Sequence, residues 1–196
     1  MARIAGVPTR VVVLASGSGT LLQALIDACE AGEVDAGVVA VVTDRSDAQA
    51  LERAGRHGIP ALALPLAKGA DRAQWDQELA TLVAGFEPDL VASAGFMKLL
   101  GPAFLARFGG RTINTHPALL PSFPGMHGPR DALAAGVKVA GATVFVVDGG
   151  IDTGTILLQG AVDVLPGDDV ESLHERIKVV ERRLLVQAVE EWKQGA

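Results

Sequence analysis

The chain has 196 residues, 49% hydrophobic and 20% charged, with a formal net charge of -6. That is enough for a domain with a substantial core, and without any Lys/Arg run it argues against a general nucleic-acid or anionic-membrane binder. The single Cys29 excludes an internal disulfide and fits a reducing compartment, no apolar run reaches membrane-spanning length, and residues 1–9 lack the apolar core of a signal peptide, so a cytoplasmic protein is expected.

Residues 1–9 read as a leader and residues 10–196 as one unit. Residues 10–14 form a β-branched run that predicts the first strand. Ala15-Ser16-Gly17-Ser18-Gly19-Thr20 then turns, and residues 21–31 carry a helical pattern. A strand, a glycine-bearing turn and a helix start together suit phosphate. The glycines let backbone approach closely, and the free N–H groups of the first helical turn attract an anion. Gly17, Ser18, Gly19 and Thr20 are therefore candidate anion-binding residues. The dinucleotide fingerprint needs a third glycine where Leu22 stands, which argues against a nicotinamide cofactor.

Further strands are expected over 38–43, 61–64 and 90–94, with helices over 47–57 and 71–85 between them. Gly95-Phe96-Met97-Lys98-Leu99-Leu100 follows the fourth strand. Such alternation implies a mostly parallel sheet covered on both faces, with ligands beyond the carboxyl ends of the strands. A fifth strand over 112–115 runs into Asn114-Thr115-His116-Pro117-Ala118-Leu119-Leu120-Pro121 and on to Pro124-Gly125-Met126-His127. Pro117, Pro121 and Pro124 stiffen that exit by fixing φ. Strands over 142–147 and 156–159 flank the glycine-rich loop 148–154, and the short link between them suggests an antiparallel return.

The last helix is expected over 169–192, with Asp168 as its N-cap. At 100° spacing Val170, Leu173, Ile177, Val180, Leu184, Ala188 and Trp192 form an apolar stripe. Glu181 falls inside that stripe, with Lys178 and His174 at its border. A carboxylate on a buried face costs energy unless partnered. Glu181 is thus expected either to escape at an edge to solvent or a salt bridge, or to face a ligand.

The histidines (His57, His116, His127 and His174) show no HxxxH spacing, and one cysteine completes no zinc set, so no metal is expected. No GxSxG elbow marks a serine hydrolase. Asn114 and His116 are two apart on a strand and so share a face. With Asp152 in the 148–154 loop they suit acyl transfer without a covalent intermediate. The Asn114 amide and the His116 imidazole, in its cationic form, can donate to the oxygen of a tetrahedral centre. Asp152, directly or through water, can accept the proton that an attacking amine loses.

At these residues the chain resembles the folate-dependent formyltransferases, and among them those that act on glycinamide ribonucleotide. The resemblance spans residues 10–192. It is carried by Asn114-Thr115-His116-Pro117 with Leu119-Leu120-Pro121 and Pro124-Gly125, by the loop holding Asp152, and by Gly95-Phe96-Met97 before a basic residue. It implies a single formyltransferase domain of Rossmann-like α/β/α sandwich form, with a mostly parallel mixed sheet of about seven strands. It also implies formyl transfer from 10-formyltetrahydrofolate to the amine of glycinamide ribonucleotide in purine biosynthesis, with no metal, nicotinamide, nucleic acid or membrane involved. A homodimer is compatible with the chain.

The resemblance further assigns roles. Asn114, His116 and Asp152 match the catalytic trio. Gly17 to Thr20 match the substrate phosphate turn, and Lys178 and Glu181 the substrate side. Phe96, Met97, Lys98, Leu99 and Leu100, with the loop that follows Val147, match the folate pocket. Arg72 lies where a basic residue meets the folate tail, and His127 matches a histidine next to the centre. Three departures stand out. Thr20-Leu21 replaces a common Ser-Asn, so a side-chain phosphate contact from position 21 is lost. Phe145 stands where many members carry histidine, and Ala118 replaces a common serine.

Overall fold

The computed structural model describes residues 8–194. Its elements run β1 (Thr9–Ala15), α1 (Thr20–Glu30), β2 (Ala36–Thr43), α2 (Gln49–Arg56), β3 (Ala61–Ala63), α3 (Arg72–Ala84), β4 (Leu90–Ser93), α4 (Pro102–Phe108), β5 (Thr112–His116), α5 (Gly128–Ala134), β6 (Val139–Val146), β7 (Ile156–Asp163) and α6 (Val170–Gln194). The strands form one seven-stranded sheet in the order β3-β2-β1-β4-β5-β6-β7. Pairings from β3 to β5 are parallel, and β5–β6 and β6–β7 are antiparallel. The α/β class, the mixed sheet and the antiparallel return are as the sequence led us to expect.

Alternation along β1 divides the core into two. Val11, Val13 and Ala15 pack with residues of α1, α2, α5 and α6. Val12 and Leu14 point the other way, to Trp75 and Leu79 of α3 and Phe104 and Phe108 of α4. Successive side chains on a strand take opposite faces, so a strand buried on both sides reads as an unbroken apolar run.

Several boundaries differ from expectation. Residues 1–7 of the expected leader lie outside the described residues, and Thr9 already pairs with Ala36 in β1. Helix α2 starts at Gln49 rather than 47, with Ala48 as its N-cap in the extended region at ψ 126. The N-cap of α6 is Asp169 rather than Asp168. Asp169 Oδ1 accepts the Ser172 N–H at 2.8 Å, whereas Asp168 accepts from Leu165 N and Arg176. The Arg176 guanidinium holds the Asp168 carboxyl well below the usual carboxylate range. On α6, Val170 is exposed, while Leu185 and Val189 join the buried stripe.

Helices α4 and α5 were not anticipated. A helix of seven residues carries little periodic signal, and the cap of α4 comes from a distant residue. Asp76, buried on α3, accepts the N–H groups of Gly101, Ala103 and Phe104 at 2.7, 2.8 and 3.1 Å. A Cβ at Gly101 would collide with that carboxylate, 2.5 Å away, so only glycine lets the helix start approach so closely. Asp76→Ala would strand these donors. It should lower the unfolding free energy by about 2–4 kcal/mol in urea titration; a loss below about 0.5 kcal/mol would mean that water replaces the carboxylate without cost.

Candidate active site

The proline-rich exit of β5 is pinned from below. Thr143 Oγ donates to the Ala118 carbonyl at 2.7 Å and accepts the Leu120 N–H at 3.0 Å. Gln159 Nε2 bridges the Leu120 carbonyl and the same hydroxyl. The antiparallel hairpin thus fixes the loop that carries Phe123 and Gly125.

His116 is the last residue of β5, one beyond the expected strand end. Asn114 pairs across the ladder with Phe145, and His116 with Thr143, so these four residues share a sheet face. Val146 pairs with Ile113, which puts the β6–β7 loop toward the start of β5. That loop folds back along the same face. Asp152 Oδ2 comes within 3.5 Å of His116 Nδ1 and accepts the Gly125 N–H at 2.7 Å. Asp152 itself sits at φ 55, a backbone region disfavoured for side-chain-bearing residues.

His116 Nε2 lies 2.8 Å from the Phe123 carbonyl oxygen. A carbonyl only accepts, so Nε2 carries the hydrogen and donates it. Nδ1 is then the nitrogen whose proton can come and go, and it is the one that faces Asp152. The Asn114 amide finds no hydrogen-bond partner among the described residues and is half-buried. The Asn114 amide thus shares a sheet face with the His116–Asp152 pair. A pocket of about 250 Å³ adjoins it, lined by Leu120, Pro121, Pro124, Ile151, Asp152, Thr153, Gly154 and Ile156.

The turn after β1 lies at the carboxyl end of that strand and leads into α1. Gly19 is the N-cap of α1, in the left-handed conformation at φ 69, with no side-chain cap. A Cβ there would lie 2.9 Å from Ala50 Cα of α2, so close helix approach as well as backbone conformation demands glycine. The turn is tied to the segment after β4: Ser16 N–H donates to the Gly95 carbonyl, and Ser16 Oγ accepts the Met97 N–H at 2.7 Å. Both crossovers diverge between β1 and β4, where an open α/β sheet forms its ligand crevice.

Glu181 is buried against Thr115, on the face of β5 opposite to Asn114 and His116. It neither reaches solvent nor forms an ion pair among the described residues, which removes the edge reading. The Thr115 hydroxyl is buried and has no partner of normal hydrogen-bond geometry, although it lies close enough to favour the Glu181 charge. Burial pushes the Glu181 carboxyl up to about 7 against Thr115, Lys178 and Arg182. The folded state therefore binds this proton more tightly than the unfolded state. The resulting stability is present in full below about 4.5 and is lost as pH rises through about 7. Glu181→Gln cannot ionise and should remove that loss, on the order of 3 kcal/mol. Urea titrations at about pH 5 and about pH 8 measure it; an unchanged difference between the two would mean that Glu181 ionises as readily folded as unfolded.

The remaining expected positions scatter. Lys178 Nζ is held by Glu175 at 2.6 Å. Lys98 Nζ lies 3.4 Å from the buried Asp44. Phe96 and Leu100 pack into the core below α3, whereas Met97 and Leu99 are exposed. Arg72 donates to the Leu99 carbonyl and stacks on Trp75, so it is tied to this segment. Val147 N–H donates to the Thr112 carbonyl. His127 is exposed ahead of α5, with no side-chain partner among the described residues.

Residues 9–189 match the formyl transferase family. The chain belongs to that family. Phosphoribosylglycinamide formyltransferase of Mycobacterium tuberculosis is 59% identical over 182 residues, covering 93% of this chain and 84% of the relative. The Escherichia coli enzyme of the same name is 39% identical over 174 residues, covering 89% of this chain and 82% of the relative. The crystal structure of glycinamide ribonucleotide transformylase 1 from Symbiobacterium toebii superposes with a TM-score of 0.94 at 44% identity, covering 99% of this chain and 92% of that one.

Within this formyl transferase, sequence reasoning missed the groups that hold His116 and Asp152. The Phe123 carbonyl sets the imidazole tautomer, and the Gly125 N–H holds the Asp152 carboxylate. Both are backbone groups, for which residue type gives no signal. It also missed Asp44 and Arg53, whose polar heads act across the fold. Among the described residues no helix is long and apolar enough to cross a membrane.

Proposed function

We propose that this formyl transferase moves the formyl group of 10-formyltetrahydrofolate to the amino group of glycinamide ribonucleotide by direct attack, in the cytoplasm. The amine nitrogen adds to the formyl carbon, and the carbonyl oxygen becomes negative. The Asn114 amide and an N–H on His116 Nδ1 donate to that oxygen. The amine proton passes to Asp152, directly or through water. Collapse breaks the bond from carbon to the folate N10, which takes up the proton that Asp152 received, directly or through water, so that the carboxylate is restored. The observation that carries this reading is the His116–Asp152 pair at 3.5 Å with Nε2 already committed to Phe123. That commitment leaves Nδ1 as the nitrogen that faces the reaction.

The N–H groups around Gly17, Ser18, Gly19 and Thr20 take the substrate phosphate. Glu181, with Lys178 released from Glu175, serves the rest of the nucleotide. The exposed Met97 and Leu99, the segment from Phe96 to Leu100, Arg72 and the loop after Val147 serve the folate; His127 stands nearby. Glu181→Gln should raise the Michaelis constant for glycinamide ribonucleotide with little change in turnover. The deciding assay follows folate release by purified protein with glycinamide ribonucleotide present or withheld. Release only with the amine is expected. Equal release without it would make the protein a hydrolase.

A further inference from the structure

We infer that Arg53 on α2 is a positioning residue that aims the backbone of the turn after β1 at the substrate phosphate. The inference rests on the phosphate reading of that turn. Among the described residues, the N–H groups of residues 17 to 22 meet no acceptor, so this stretch is a run of free donors at the start of an eleven-residue helix. Free donors hold an anion only if they converge, and their direction is set by the carbonyls of the same peptides. In a trans peptide the C=O and the N–H point opposite ways.

Helix α2 holds two of those carbonyls. The Gly17 carbonyl accepts the Ala50 N–H at 3.2 Å, and the Ser18 carbonyl accepts Arg53 Nε at 2.7 Å. Both carbonyls therefore face α2, and the N–H groups of Ser18 and Gly19 face away from it. Arg53 is in turn braced by Gln23 of α1, whose Oε1 accepts Arg53 Nη1 at 3.3 Å. The Gln23 amide nitrogen is held by Asp27 at 2.8 Å and by His57 Nε2 at 3.1 Å. The guanidinium is thus held in a fixed fork on the α2 side of the turn, opposite to the N–H groups that face the anion. With leucine at position 21, no side-chain amide helps from α1, so the aim of the backbone carries more of the affinity.

The test compares glycinamide ribonucleotide with its dephosphorylated nucleoside in wild type, Arg53→Ala and Arg53→Lys. Wild type should prefer the nucleotide strongly. Arg53→Ala should raise the nucleotide Michaelis constant roughly tenfold, with turnover and the formylfolate Michaelis constant within about threefold of wild type. The nucleoside constant should not move, because the turn holds nothing there. Arg53→Lys keeps the charge but loses the fork, and should fall between the other two. An Arg53→Ala enzyme that keeps the wild-type preference overturns the positioning role and leaves the phosphate reading standing. So does an Arg53→Lys enzyme equal to wild type, since diffuse charge then suffices. A wild type that does not distinguish the two substrates overturns both.

Discussion

Asp152→Asn is expected to lower turnover by about 10²–10⁴ while leaving both Michaelis constants near wild type. An asparagine is the same shape, and its Oδ1 can still accept the Gly125 N–H that now lies 2.7 Å from the carboxylate. The loop should therefore keep its place along the face of β5. What disappears is the ability to take a proton. An amide nitrogen donates rather than accepts, and the one oxygen that remains takes the place of Oδ2, the atom that now meets both the Gly125 N–H and His116 Nδ1. The dependence of turnover on pH should also lose the limb that the carboxylate contributes. A variant within about threefold of wild type, or one with the same pH dependence, would remove Asp152 from the proton path.

Asn114→Ala is expected to slow turnover by about 10²–10³, the cost of one lost oxyanion donor. The amide is half-buried and finds no hydrogen-bond partner among the described residues. Its removal should therefore leave stability almost unchanged. Phe145, directly across the ladder, is apolar and supplies no substitute donor. The loss should fall on turnover, because the oxygen is strongly charged only at the transition state. Stability intact and turnover unchanged, measured on one preparation, would show that His116 alone holds the oxygen.

The central strands were legible because burial on both faces makes an apolar run, as in Val11-Val12-Val13-Leu14. The long α6 was legible because Leu173, Ile177 and Leu184 recur at helical spacing. The seven-residue helices α4 and α5 were not. Helix α4 begins where Asp76 caps it from another helix, and local sequence holds no record of that contact. The capping aspartate of α6 was misplaced by one residue because Asp168 and Asp169 are chemically alike. The Leu165 N–H and the Arg176 guanidinium, which engage Asp168 and not Asp169, separate their roles.

The residue types of the site were equally legible. An amide and an imidazole on alternate strand positions and a carboxylate in a glycine-rich loop can be read directly as residue types. Their meeting was not. Sequence alone determined which groups exist, which strand face Asn114 and His116 share, and that Glu181 falls on the buried stripe of its helix. These follow from fixed backbone periodicity, which acts over a few residues. Only the tertiary structure decided that the β6–β7 loop folds back to bring Asp152 to His116, that Phe123 fixes the imidazole tautomer, and that Glu181 lies against the other side of β5. Those contacts join residues far apart in the chain, and they form only when the packed sheet closes the distance between them.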